Sequence, residues 1–338
     1  MPMKERMDHH RGRPPALQLR RGLAGVRSNR NGRTKAGGGH RVLFWHVLCV
    51  LCVLCGVIVT LRGADPPRFD SSRAYEHVRQ LVAIGPRPAG SPAIASARQY
   101  ISAQIKQLGL RVVEQPFDTE TPIGRVHMVN LLVTIPGARK ERLLIGGHYD
   151  TKLFRNARFV GANDGGSSAA YLLELARVLK DRMSPLTIEL VFFDGEEAFN
   201  TDWVDPDNTY GSRYYVANAK RTGTLSDIKA MILVDMIGDR QLDIRRETAS
   251  TPWLTDAIWA SARKLKQTAF LNEPLRVEDD HMHFLEAGVP AVDIIDLDYP
   301  AWHTPADTLD QVSARSLQTV GDVLLDALPA IEARLLQK

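Results

Sequence analysis

Residues 188–197 read Ile188-Glu189-Leu190-Val191-Phe192-Phe193-Asp194-Gly195-Glu196-Glu197. An apolar run of this kind, ending in acids and a glycine, predicts a buried strand that delivers carboxylates at its carboxyl end. The same grammar recurs. Leu143-Leu144-Ile145 leads to Gly147-His148-Tyr149-Asp150, residues 230–234 lead to Asp235, and residues 291–295 lead to Asp296-Leu297-Asp298. Helical spacing separates these strands over residues 167–180, 210–219 and 253–266. Strand–helix alternation predicts an α/β fold with a largely parallel sheet and right-handed crossovers. Upstream, residues 73–83 and 94–108 have helical spacing, and Gly85-Pro86-Arg87-Pro88-Ala89-Gly90-Ser91 breaks between them. Residues 111–117 and 126–135 read as strands joined by Pro122-Ile123-Gly124.

The chain has 338 residues, and 44% hydrophobic against 24% charged residues supports a sizeable core. Its net charge of +4 is unevenly placed: residues 1–41 carry +9, Arg62 adds one, and residues 63–338 carry −6. The globular region is therefore mildly acidic, which removes the electrostatic basis for nucleic-acid binding. All three cysteines (Cys49, Cys52, Cys55) lie in one apolar stretch. A disulfide framework, a thiolate metal cage and a cysteine nucleophile are thereby excluded from the downstream domain.

That stretch, residues 42–61, is 20 residues without a charge, and Arg-rich sequence precedes it. At about 1.5 Å per residue it can cross a hydrocarbon core of about 30 Å. The expected organisation is a basic disordered cytoplasmic tail over 1–41, a transmembrane signal-anchor over 42–62 and a catalytic domain over 63–338 outside the cytoplasm. Cleavage as a signal peptide, with secretion, is the competing reading; Arg62 interrupts any small-residue cleavage site.

Parallel sheets place their sites at strand carboxyl ends. Here those ends supply His148, Asp150, Glu196, Glu197, Asp235 and, past the last strand, His303. The loop Gly161-Ala162-Asn163-Asp164-Gly165-Gly166 adds a further acid before a helix. Histidine, aspartate and glutamate without cysteine form a hydrolytic or Lewis-acid zinc set. In extended chain His148 and Asp150 share a face, so Asp150 can steady the ring nitrogen that His148 does not offer to a metal. Glu196 and Glu197 are adjacent and cannot point the same way. One can bind metal while the other, enclosed by Phe192-Phe193 and Ala198-Phe199, acts as acid/base with a raised pKa.

The stretches His148-Tyr149-Asp150-Thr151-Lys152, Gly161-Ala162-Asn163-Asp164, Phe192-Phe193-Asp194-Gly195-Glu196-Glu197-Ala198-Phe199, Tyr210-Gly211-Ser212-Arg213, Asp279-Asp280-His281 and Trp302-His303-Thr304 resemble the zinc aminopeptidase family. They are most similar to its glutaminyl-peptide cyclotransferase (glutaminyl cyclase) branch, over roughly residues 70–338. The resemblance implies a three-layer α/β sandwich around a central mixed, mostly parallel sheet. It implies zinc ligands Asp164, Glu197 and His303, the general acid/base Glu196, the hydrogen-bonded acids Asp235 and Asp279, and pocket walls Trp203 and Trp302. In the peptidase branch Asp164 bridges two zincs, with His148 and Asp235 completing the second site. Three departures stand out. No cysteine is available for the disulfide of the animal cyclases. The segment from Glu197 to Trp203 is one residue longer than in the pattern. Asp293 stands where the cyclases often carry a histidine.

The expected activity is zinc-dependent acyl transfer within an N-terminal glutaminyl residue, giving pyroglutamate and ammonia. One zinc is expected and two are possible. The alternatives are a two-zinc aminopeptidase and an inactive, membrane-tethered binding module. Peptide or protein N-termini are the expected partners, and the catalytic domain is expected to be monomeric.

Overall fold

Every residue of strand β4 (Leu186–Phe193) is buried, which is why its sequence runs apolar without alternation. The buried interruption, Glu189, accepts hydrogen bonds from Arg142 and from the Tyr215 hydroxyl. A computed structural model describes residues 67–337, and the strands β1 (Val112–Thr121), β2 (Gly124–Ile135), β3 (Arg139–His148), β4, β5 (Ile228–Asp235) and β8 (Ala291–Ile295). These form one six-stranded sheet in the order β1-β2-β4-β3-β5-β8. The pairs β1/β2 and β2/β4 are antiparallel, whereas β4/β3, β3/β5 and β5/β8 are parallel. The four mutually parallel strands β4, β3, β5 and β8 thus end on the same side of the sheet, and that side carries His148, Asp194 and Asp235.

Side-chain alternation along these strands divides the core in two. Leu143, Ile145, Ile188, Leu190, Ile232 and Val234 pack with helices α1 (Ser71–Ile84), α2 (Pro92–Gln107), α3 (Gly166–Leu179), α5 (Pro252–Lys264) and α7 (Ala314–Leu336). Leu144, Val191, Phe193, Met231 and Leu233 pack with α4 (Tyr210–Thr222) and α6 (His281–Glu286). The mixed three-layer sandwich is borne out. Helix starts follow local chemistry: Asp70 accepts from the N–H of Ser72 at 3.0 Å, and Ser91 accepts from that of Ile94 at 3.1 Å ahead of Pro92.

Four elements lie outside the sequence expectation. The strands β6 (Ile244–Glu247) and β7 (Phe270–Leu275) form a separate parallel pair. Helix α7 spans 23 residues although Pro329, ordinarily a helix breaker, sits inside it. Its buried residues Leu317, Val320, Leu324, Leu328 and Ile331 recur at three- and four-residue steps, and that stripe against α1 and α5 outweighs one lost main-chain hydrogen bond. Helix α6 is too short for periodicity to reveal.

The expected tail and anchor, residues 1–41 and 42–62, lie outside the described residues. Among the described residues no helix is long and apolar enough to cross a membrane.

Candidate active site

Asp164 sits in a loop that its glycines shape. Gly165 adopts φ +73°, and a Cβ there would lie 2.4 Å from the Asp150 carbonyl and 2.9 Å from the His148 ring. Gly161, at φ +51°, has equally little room beside the Asp164 carbonyl. Only glycine lets this loop close onto the end of β3. Asp307 then fastens it: the N–H groups of Asn163 and Asp164 donate to its carboxylate at 2.8 and 3.1 Å, and the Tyr299 hydroxyl donates at 2.7 Å. Asp307 carries no motif in sequence; its only signal is its place four residues past His303.

Asp150 anchors the adjacent glutamates. Its carboxylate accepts from the N–H of Glu196 at 3.2 Å and of Glu197 at 3.4 Å. It also lies 3.4 Å from Nδ1 of His148. The Glu196 carbonyl accepts from Thr209 N–H at 2.7 Å, so this turn is held from both sides. The two side chains diverge. Glu197 reaches to 3.2 Å from Nε2 of His303, while Glu196 lies 3.7 Å from Nδ1 of His148.

Ligand-type atoms gather in two sets, each with all its atoms within 4.8 Å: Asp164–Glu197–His303 and His148–Asp164–Asp235. In the first, Nε2 of His303 is 3.4 Å from Asp164. In the second, Nε2 of His148 is 3.2 Å from Asp164 and 3.1 Å from Asp235. Asp235 also accepts from Ser168 Oγ and from the N–H of Met236. Both oxygens of Glu197 and Oδ2 of Asp164 are buried without a hydrogen-bond partner. Such oxygens are costly to leave bare. Their convergence with one imidazole is what a catalytic zinc requires: three oxygen or nitrogen ligands, no thiolate, and room for a fourth partner.

Protonation favours the same assignment. Burial pushes the carboxyl of Asp164 up to about 6 and that of Glu197 up to about 7, and Glu197 adds to the rise at Asp164. Burial lowers the pKa of His303, leaving a neutral imidazole with a free lone pair. Glu196 is raised well above the carboxylate range by burial, with Asp279, Glu197 and Asp235 adding to it and His148 opposing. Asp279 is raised to about 6, by burial and by Asp235.

A pocket of about 220 Å³ opens over these groups. Asp164, Glu196, Asp235, Asp279 and His303 line it with Arg276 and Glu278 as its polar groups, and Trp203, Trp302, Met236, Val277, Ile295 and Leu297 form its apolar lining. Trp302 stacks on the neighbouring His303 ring at 4.4 Å, and Phe154 and Phe159 meet that ring edge-on at 6.2 and 6.0 Å. The two phenylalanines went unnoticed in sequence, because they lie in a loop without pattern. His303, Met236 and Thr209 all hold left-handed backbone, at φ 52°, 46° and 46°. Each costs roughly 1–2 kcal/mol, a local strain of the kind that collects at functional sites.

Other strand-end acids have structural partners instead. Asp194 accepts from Val129 N–H at 2.8 Å and lies near Tyr149 and Arg98. Asp296 accepts from Asp243 N–H at 2.9 Å, and Asp298 pairs with Arg245 on the surface. Asp293, at the position where a histidine is common, is buried 3.8 Å from Nδ1 of His281, whose Nε2 faces Glu247 at 3.3 Å.

Comparison with known proteins follows the same lines. Residues 130–328 match the model of peptidase family M28. The chain is 30% identical over 275 residues to a glutaminyl-peptide cyclotransferase-like protein of Mus musculus, covering 72% of this chain and 70% of that one. A solved glutaminyl cyclase from an Acidobacteriales bacterium is 40% identical, with a TM-score of 0.76 over 80% of this chain and 97% of its own. A leucine aminopeptidase precursor from Bacteroides thetaiotaomicron is 25% identical, with a TM-score of 0.71 over 78% and 98%.

Proposed function

The chain belongs to peptidase family M28, and we propose that within it the protein is a glutaminyl-peptide cyclotransferase, converting N-terminal glutamine of peptides to pyroglutamate with release of ammonia. The observation that carries this is the pairing of a protonatable, buried Glu196 with ligand-type oxygens on Asp164 and Glu197 that lack hydrogen bonds, beside a small tryptophan-walled pocket.

Asp164, Glu197 and His303 would hold the zinc, which when bound polarises the γ-carbonyl as a Lewis acid. The remaining work falls to this chain's own groups. Trp302 and Trp203 enclose the glutaminyl side chain and exclude water. The substrate supplies its own nucleophile, so enclosing one folded residue brings amine and carbonyl together. Glu196 takes a proton from the α-amine and passes it to the departing amide nitrogen. Asp235 and Asp279 face the same space and orient the amine.

The His148–Asp164–Asp235 set favours a second reading, an aminopeptidase with two metal ions. A Gln-initiated and a Leu-initiated peptide separate the two. The cyclase makes the first lighter by one ammonia and blocked at its N-terminus, and leaves the second intact. Release of free leucine with no ammonia from the Gln peptide, read by mass spectrometry, would replace the cyclase by the peptidase.

The proposal includes membrane attachment through residues 42–62, with the catalytic domain outside the cytoplasm. It rests on the uncharged run behind a +9 tail. Carbonate-washed membranes should retain the full-length protein; recovery of only a soluble, N-terminally trimmed form would mean signal cleavage.

A further inference from the structure

Arg87 lies in the Gly85-Pro86-Arg87-Pro88 break between α1 and α2, a place where a charged side chain ordinarily faces solvent. Its side chain is instead fully buried. Nε donates to the Tyr149 carbonyl at 2.8 Å, Nη1 to that of Val160 at 2.5 Å and Nη2 to that of Gly161 at 2.9 Å. The main-chain N–H of Arg87 donates to Thr151 Oγ1 at 3.0 Å.

The acceptors are informative. Tyr149 stands between His148 and Asp150, at the end of β3. Val160 and Gly161 open the loop that carries Asp164. A single guanidinium therefore spans the two segments that bring ligand-type side chains from β3 and from the α3 loop. The loop also wraps its far end: a Cβ on Gly166 would lie 3.5 Å from Nη2. Burying a bare guanidinium costs several kcal/mol. Main-chain carbonyls offset part of that cost, and Asp150, Asp307, Asp164 and Glu197 supply a favourable field. Burial lowers its pKa to about 10, so it stays a cation at neutral pH. A rigid three-way fork suits this span. An ammonium is a point donor and cannot reach three carbonyls fixed on two segments.

We propose that Arg87 is a positioning residue of the metal site, clamping the 160–161 loop to the end of β3 so that the Asp164 carboxylate is held opposite Glu197 and His303. This rests on the reading of Asp164, Glu197 and His303 as zinc ligands. Loss of the clamp frees Asp164 to move away from its partners, and zinc affinity falls before the fold does.

The test measures zinc affinity of the full-length protein by competition with a chelator, for wild type, Arg87→Lys and Arg87→Met. Melting of the metal-free and zinc-saturated forms is recorded alongside. Arg87→Lys keeps the charge and should weaken zinc by about 10–100-fold, the usual effect of losing a partner that orients metal ligands. Its zinc-induced rise in melting temperature should shrink to match. Arg87→Met should be at least as weak. A purely structural arginine predicts otherwise: equal lowering of both melting temperatures and zinc affinity indistinguishable from wild type. That result overturns the proposal, as does failure of both variants to fold, which would make Arg87 a folding residue. Absence of zinc binding by wild type would take down the ligand reading as well, and is thereby told apart from failure of the clamp alone.

Discussion

Glu196→Gln should leave the fold and the zinc content unchanged while lowering kcat on a Gln-initiated peptide by about 10²–10⁴-fold, the usual contribution of a general acid/base. The main chain at this position is anchored independently of the side chain, through Asp150 and Thr209, so the turn should survive. Glutamine has nearly the same shape as glutamic acid and keeps the packing, but it cannot accept and return a proton. Burial raises the Glu196 carboxyl, so the wild-type group can carry the amine's proton long enough to deliver it to the leaving nitrogen. Glu196 is absent from the Asp164–Glu197–His303 set, so zinc should stay. Zinc measured on the purified variant beside single-turnover rates checks both halves. A variant that lost its zinc would reverse the roles of Glu196 and Glu197.

The other large effect is expected from His303→Ala. One of the three proposed ligands disappears, and the variant should lose zinc affinity by more than the about 10–100-fold that follows loss of an outer partner. Activity should vanish with the metal. Alanine is strained at the φ of 52° found here, so His303→Asn serves as a control that tolerates this backbone while lacking imidazole. Equal zinc in wild type and both variants would remove His303 from the ligand set. The same titration run against pH carries a sign. Asp164 and Glu197, at about 6 and about 7, must shed protons to bind metal, whereas His303 has a lowered pKa and is neutral already. Wild-type zinc affinity should therefore fall as pH drops from about 7 to about 5. A rise over that interval would contradict the assignment.

Much of the architecture could be read from local pattern. Strand β4 and its terminal Asp194-Gly195-Glu196-Glu197 were visible because burial on both faces leaves an unbroken apolar run. The expected helix over residues 210–219 starts where α4 does and stops three residues early, since helix ends depend on caps such as Gly223. The pair β6/β7 was not visible, being short and exposed in part, with meaning only as partners.

The site divides in the same way. Sequence by itself determined that carboxylates and histidines stand at successive strand ends, that Glu196 and Glu197 must diverge, and that Trp302 adjoins His303. These follow from period and adjacency, which act over a few residues. Only the tertiary structure decided the rest. The sheet order β4-β3-β5-β8 brings Glu197, His148 and Asp235 to one edge, yet turns Asp296 towards Asp243. Asp150 meets the N–H groups of Glu196 and Glu197 because β3 and β4 run side by side in register, 46 and 47 residues apart in sequence. Asp307 closes on the Asp164 loop from 143 residues away, and Arg87 enters beneath it from the break between α1 and α2. A hydrogen bond needs its partners within about 3 Å in space, and nothing in the spacing of residues along a chain records which distant segments the packing brings that close.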